Sequence, residues 1–331
     1  MTPRNSATAA PLTSPLRRIR LANSALSLTV LPEVGGRIEE LVDRRTGRDW
    51  AWHPEGYQPP AEARELPPGA SFDENWEGGW DDIFPNDAAC GFQGFDLADH
   101  GELWSRPWKL IEHTESGVQL SLLCRTVPAS VEKRISLEPY IPSLSGHSAA
   151  RLRINYSIRN LSDRPLPFLF KLHPAIPVEP GDRILMPRSV LEPVEPSFST
   201  IAAVPGPSEF PYVRSGSGGK TRMDIVPSSR ENPQQDFLYG SGLHEPWCGV
   251  HNVRTSTTLR FDFDPEDIPF VWLFMSYGLW RGHTVVMPEP CTNKPWDLHT
   301  AMARGSCARL GPRETRELEI RVSLVREPLP D

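Results

Sequence analysis

Apolar and polar residues alternate with a period of two in several short runs of this chain. Leu26, Leu28 and Val30 alternate with Ser27 and Thr29, and Val118, Leu120 and Leu122 with Gln119 and Ser121. The segment RLRINYSIRN, 151–160, sets Leu152, Ile154, Tyr156 and Ile158 against Arg, Asn and Ser. TLRFDFD repeats the pattern with Leu259, Phe261 and Phe263, and ELEIRVSL with Leu318, Ile320, Val322 and Leu324. Successive side chains of a strand point to opposite faces, so each run predicts a strand with one face on a core and the other in water. No stretch of comparable length carries a 3.6-residue period. Strands of this kind, spread along the whole chain, predict an all-β protein built as a large antiparallel β-sandwich.

Proline and glycine add the connections. The 331 residues include 36 prolines and 24 glycines. Proline breaks helices and central strands alike, so these residues are expected in turns and long loops. Three stretches fit that expectation: 52–102, 174–235 and 277–299. Long loops in a compact domain serve as binding walls or lids, or are disordered insertions. Residues 1–15, small, polar and punctuated by proline, are expected to form a disordered arm. No internal repeat or linker divides the remainder, which predicts a single domain over 16–331.

The formal charge of −7 argues against nucleic acid and anionic membranes as partners, because neither attracts a net-negative protein. Five scattered cysteines without a C-x-x-C pair argue against a disulfide framework or a zinc site. The opening residues lack the apolar core of a signal peptide, and no run of about 18 apolar residues occurs. A soluble, cytoplasmic protein is the expectation.

Candidate chemistry concentrates in three places. The segment NWEGGWDDIFPNDAACGFQGFDLADHGELW, 75–104, sets Trp76, Trp80, Phe84, Phe92, Phe95 and Trp104 among glycines and carboxylates. A sugar pocket needs such a mixture, because the C–H face of the ring stacks on an aromatic while its hydroxyls take directed hydrogen bonds. The same residues also suit a hydrophobic cluster that pins a long loop. His100, in DHGE, either bonds a substrate hydroxyl or caps its loop. His173, in FKLHPAIP, is either a core imidazole on a carbonyl or a general acid at a strand end, where Pro174 holds the backbone extended. Glu289, between Pro288 and Pro290, is either a solvated loop carboxylate or a base on a segment not expected to pair as a central strand.

In order along the chain, GGRI, GGWDDIFPN, DHGELW, KLHPA, PFVWLFM and PEPCTNKPWDLHTAMARG resemble the motifs of the galactose mutarotase-like, or aldose 1-epimerase, family. The resemblance runs from about residue 20 to 325 and implies that family's β-supersandwich. It implies interconversion of the α and β anomers of a free or phosphorylated aldose, with no metal, nucleotide or redox cofactor. By motif match Glu289 takes the role of base and His173 that of acid, and His100 that of the second histidine on the substrate. Trp80, Asp81, Asn86, Trp104, Arg37, Asp236 and Trp280 are the further sugar-binding candidates; Arg37 and Arg281 read equally well as ordinary salt-bridge residues. The implied partner is a small-molecule carbohydrate, and the implied assembly a monomer or weak dimer. Ala175 after Pro174, where the family carries an aromatic, and the acidic pair Asp81–Asp82 are expected to alter the pocket. A non-catalytic sugar-binding protein is the alternative of a different class. A glycosidase or polysaccharide lyase on the same fold is the third; a glycosidase would need a second carboxylate about 5 to 9.5 Å from the first.

Overall fold

The computed structural model describes residues 16–63, 65–141, 149–216, 218–228 and 233–327; the arm expected at 1–15 lies outside them. Each of the five alternating runs is a strand: Leu26–Leu31, Gly117–Leu123, Ala149–Asn160, Thr257–Phe263 and Thr315–Arg326. The longest show the physical basis plainly. Along Ala149–Asn160, Leu152, Ile154, Tyr156 and Ile158 are buried while Arg151, Arg153 and Arg159 face water.

Two large antiparallel sheets result. The first orders Ile19–Ala22, Leu26–Leu31, Arg37–Asp43, Trp80–Ile83, Lys171–Pro174, Thr284–Cys291, Phe270–Tyr277, Gln234–Ser241, Val190–Pro193 and Ser208–Glu209. The second orders Arg183–Leu185, Trp247–Asn252, Thr257–Phe263, Thr315–Arg326, Ala149–Asn160, Ala129–Leu137, Gly117–Leu123 and Lys109–His113. Two short helices, Phe72–Asn75 capped by Ser71 and Leu298–Ala303 capped by Asp297, interrupt the strands. Among the described residues no helix is long and apolar enough to cross a membrane.

The proline-rich stretches correct the sequence expectation. Trp80–Ile83 and Thr284–Cys291 fall inside segments expected to be irregular, yet both are inner strands of the first sheet. Thr284–Cys291 pairs along its whole length with Phe270–Tyr277. On its other side it meets Lys171 at Cys291 and Ile176–Pro177 at Val285 and Val286, and the ladder stands open between. Pro288 and Pro290 lie in that opening and have no N–H to give to a ladder. Proline here does not keep the segment out of the sheet; it coincides with a gap on one side of a central strand.

A buried polar link ties the sheets together. Lys133, from the second sheet, donates from Nζ to Asp82 Oδ2 of the first at 2.7 Å and to the Gly36 carbonyl at 3.2 Å. The Tyr156 hydroxyl donates to Asp82 Oδ1 at 2.7 Å. The Lys133, Asp82 and Tyr156 side chains are fully buried. Deleting one partner of a buried pair leaves an uncompensated charge and costs about 3–5 kcal/mol, whereas apolar replacement of both is close to neutral. Lys133→Met alone should therefore lower the urea unfolding free energy by about 3–5 kcal/mol, and Lys133→Met with Asp82→Leu should restore most of it.

Candidate active site

The two-residue period of the central strands decides what faces the site. His173 pairs with Asp81 and Leu172 with Asp82. Directly opposed residues share a face, so with Asp82 and Leu172 turned into the sandwich, Lys171, His173 and Asp81 project from the outer face. Glu289 pairs with Trp272 and Met287 with Phe274, which puts these four on one face as well. The opening beside Pro288 and Pro290 lets Glu289 and His173 approach each other across the gap between their strands.

Loops complete the enclosure. Asn86 donates from Nδ2 to the carbonyls of Ala88 and Ala98, at 2.8 and 2.7 Å, and clamps the loop that carries Asp87 and His100. His100 N–H donates to the Asp87 carbonyl at 2.6 Å. His100 and Gly101 are both left-handed, with φ of 58° and 63°. A Cβ on Gly101 would stand 2.1 Å from the Phe84 carbonyl oxygen, so glycine is required at that turn. The cavity so formed is about 260 Å³, and its walls are largely aromatic: Phe72, Trp76, Phe198, Phe237, Phe274, Trp280 and Trp296. Phe72 stacks on His100, ring centres 4.0 Å apart, and meets His173 edge-on at 5.2 Å.

A line of charges forms the floor. Lys171 Nζ lies 2.6 Å from Asp87 Oδ2 and 2.9 Å from Glu289 Oε2, and 4.5 Å from the centre of the Trp272 ring. The other Glu289 oxygen, Oε1, is 3.3 Å from His173 Nε2. Lys171, His173, Asp87 and Glu289 are each at least 96% buried. Glu289 Oε2 is held by Lys171 as an ion pair and neither Glu289 oxygen makes a hydrogen bond, and His173 Nδ1 has no partner among the described residues.

Burial and the lysine set the protonation states. Burial pushes the Glu289 carboxyl up to about 7, with Lys171 opposing it. Burial drives His173 well below the ordinary histidine range, and the Lys171 and His100 charges add to the effect, so this imidazole is neutral. Burial would also lower His100, but Asp87 and then Asp99 outweigh it and raise the group. Asp87 is pushed up by burial yet held below the usual carboxylate range by Lys171. Lys171 is raised despite its burial, because Asp87 and Glu289 flank it. Two histidines on one cavity thus differ: one poised to be cationic, one neutral.

The residues expected from sequence fall into three groups. His100, His173, Glu289 and Trp280 line this cavity. Arg37, Asp81 and Trp104 line a neighbouring one of about 240 Å³, which shares Trp76 with it. Trp80, Asn86 and Asp236 line neither. Trp80 alternates onto the interior face, packs against Phe261 of the other sheet and donates to the Trp50 carbonyl. Asp236 pairs with Met275 on the face opposite Phe237, and accepts from the N–H groups of Ile201 and Ala202 near Phe198. Asp82, expected to change the pocket, instead faces the core. Arg281 pairs with Asp73 and lies over Trp280 at the rim. Sequence reasoning missed Lys171 and Asp87; Lys171 stands two residues before His173, which in a strand is the same face.

No protein-family model and no curated protein matches the chain. Solved structures do. The Slr1438 protein of Synechocystis sp. PCC 6803 is similar over 99% of this chain and 100% of its own, with a TM-score of 0.63 at 16% identity. A galactose mutarotase related enzyme from Lactobacillus acidophilus is similar over 93% of this chain and 97% of its own, TM-score 0.62 at 14% identity. For a galactose mutarotase-like protein from Clostridium acetobutylicum the figures are 95%, 98%, 0.60 and 14%. Identities this low speak to architecture and not to activity. With the two sheets and their order described above, they show that this chain has the galactose mutarotase-like fold.

Proposed function

We propose that the chain is an aldose 1-epimerase-type isomerase acting on free, neutral aldoses. The observation that carries this reading is the contact of Glu289 Oε1 with His173 Nε2, 3.3 Å apart on the floor of an aromatic cavity. Anomer exchange needs a base at the C1 hydroxyl and an acid at the ring oxygen. Both oxygens are bonded to C1, so their proton partners must stand side by side. Glu289 takes the hydroxyl proton, His173 delivers one to the ring oxygen, the ring opens, C1–C2 rotates, and closure on the other face reverses both transfers. His173 Nδ1, without a partner among the described residues, and the Glu289 oxygens, without a hydrogen bond, are buried groups of the kind that substrate hydroxyls satisfy.

The proton count is strict. Each turnover takes one proton in and gives one out, so the Glu289–His173 pair must hold one proton between them. In the resting site that proton belongs to Glu289, and the short contact is the path by which it reaches His173. Lys171 keeps Oε2 fixed and stabilises the carboxylate when the proton leaves. His100 supports negative charge that develops on the opening sugar.

The lining favours a neutral substrate. Asp73, Asp87, Asp99 and Glu195 join Glu289 around the cavity, and Lys171 is its only lysine or arginine among the described residues. That cation is already held by two carboxylates. A phosphate group would instead call for converging arginines.

Anomer exchange followed by NMR over a panel of neutral aldoses and hexose 6-phosphates tests the reading. Acceleration is expected on neutral sugars, with Glu289→Gln and His173→Asn each losing about 10²–10⁴-fold. Sugar binding without acceleration by the wild type would mark a non-catalytic lectin-like protein. The pH dependence has a defined sign. The pair holds one proton below about 7 and none above it, so kcat/KM should fall about tenfold per pH unit once pH exceeds about 7. A rate still rising through that range would remove the shared proton from the mechanism.

A further inference from the structure

The second cavity, on the far side of Trp76, has the features of a binding site in its own right. Asp81 is 5% exposed, lines it, and has no hydrogen-bond or ion-pair partner among the described residues. Trp104 is 7% exposed, and its indole N–H has no acceptor; the N–H of Trp76, in the shared wall, has none either. Native structures rarely leave buried polar groups without partners, and two such indole N–H groups belong to residues that line this space, beside the carboxyl of Asp81.

The chemistry of these groups selects the ligand. An indole N–H only donates, whereas the Asp81 carboxyl, pushed up to about 7 by burial, accepts when ionised and also donates when protonated. A hydroxyl does both, so a polyol can satisfy all three groups at once. Trp104 and Trp76 offer flat aromatic surface to the C–H face of a sugar ring. An anion is disfavoured, because Glu62, Glu77 and Asp81 line the cavity. Arg37, which also lines it, is already paired with Glu39 at 2.7 Å and bonded to the Tyr57 hydroxyl at 2.8 Å.

Placement sets this cavity beside the first. Asp81 stands directly opposite His173 in the strand pair, and Trp76 lines both spaces. We infer that the second cavity is a subsite for a neutral sugar ring, so that the substrate is a reducing disaccharide whose reducing ring lies on Glu289 and His173 and whose second ring lies between Asp81 and Trp104. The inference rests on the proposed isomerase reading for the first ring only.

Binding of maltose, cellobiose and lactose, compared by calorimetry with glucose and galactose, tests it. At least one disaccharide should bind tenfold or more tightly than its component monosaccharide. In Asp81→Asn and in the conservative Trp104→Phe, the ratio of disaccharide to monosaccharide affinity should fall to about one. A ratio of about one in the wild type, or a ratio unchanged in both variants, overturns the subsite and leaves a water-filled space. The two readings fail separately. A disaccharide preference with no anomer exchange on any sugar would remove the isomerase and keep the subsite. Anomer exchange with no such preference would do the reverse.

Discussion

The carboxylate of Asp82, locked between Lys133 and Tyr156 in the dry space between the sheets, sets the phase of the strand on which the site depends. A strand has only two faces, and moving the register by one residue exchanges them. Returning this buried charge to water would mean giving up an ion pair and one further hydrogen bond. Asp82 therefore stays inward, and Asp81 must point outward, opposite His173. The adjoining strand inherits the same phase, which puts Lys171 and His173 together on the outer face. One desolvated interaction thus dictates the side on which chemistry is possible.

The site itself runs on a second buried cation. Lys171 is out of water, between two carboxylates and over an indole ring, and a lysine there is tolerable only because it is paired. Its effects on its neighbours differ in sign. It holds Asp87 ionised, opposes the upward push of burial on Glu289, and helps keep His173 neutral. A carboxyl near 7 beside an imidazole driven well below its ordinary range leaves the proton of the pair on Glu289. The aromatic walls supply the low dielectric behind these shifts.

Much of the architecture was legible in the alternation of Leu152, Ile154, Tyr156 and Ile158 and its counterparts, because a half-buried strand writes its burial directly into sequence. The strands on the site were not. Trp80–Ile83 is buried on both faces and shows no alternation, since its polar members Asp81 and Asp82 serve a cavity and an ion pair. Thr284–Cys291 hides behind two prolines that occupy a gap in one ladder. His173, His100 and Glu289, singled out by motif order, line one cavity; Lys171 was readable from its spacing to His173 once that segment was taken as a strand. Asp236 and Trp80, also expected at the sugar, line neither cavity, because alternation sends both to the opposite face.

The gap beside Pro288 and Pro290 carries a kinetic consequence. The strands it separates are remote in sequence: the Phe170 N–H donates to Thr292 Oγ1 across 122 positions. Closing so long a loop costs little more free energy than closing a short one, because the entropy grows only as the logarithm of length. Time is a different matter, since topologies rich in remote pairings fold slowly. On the ribosome, His173 emerges well before Glu289, and its strand must wait for its neighbour with one edge unfilled. His173 and Glu289 are thus brought together only after residue 291 enters the sheet, and a nascent chain stopped short of it holds one of the two without the other.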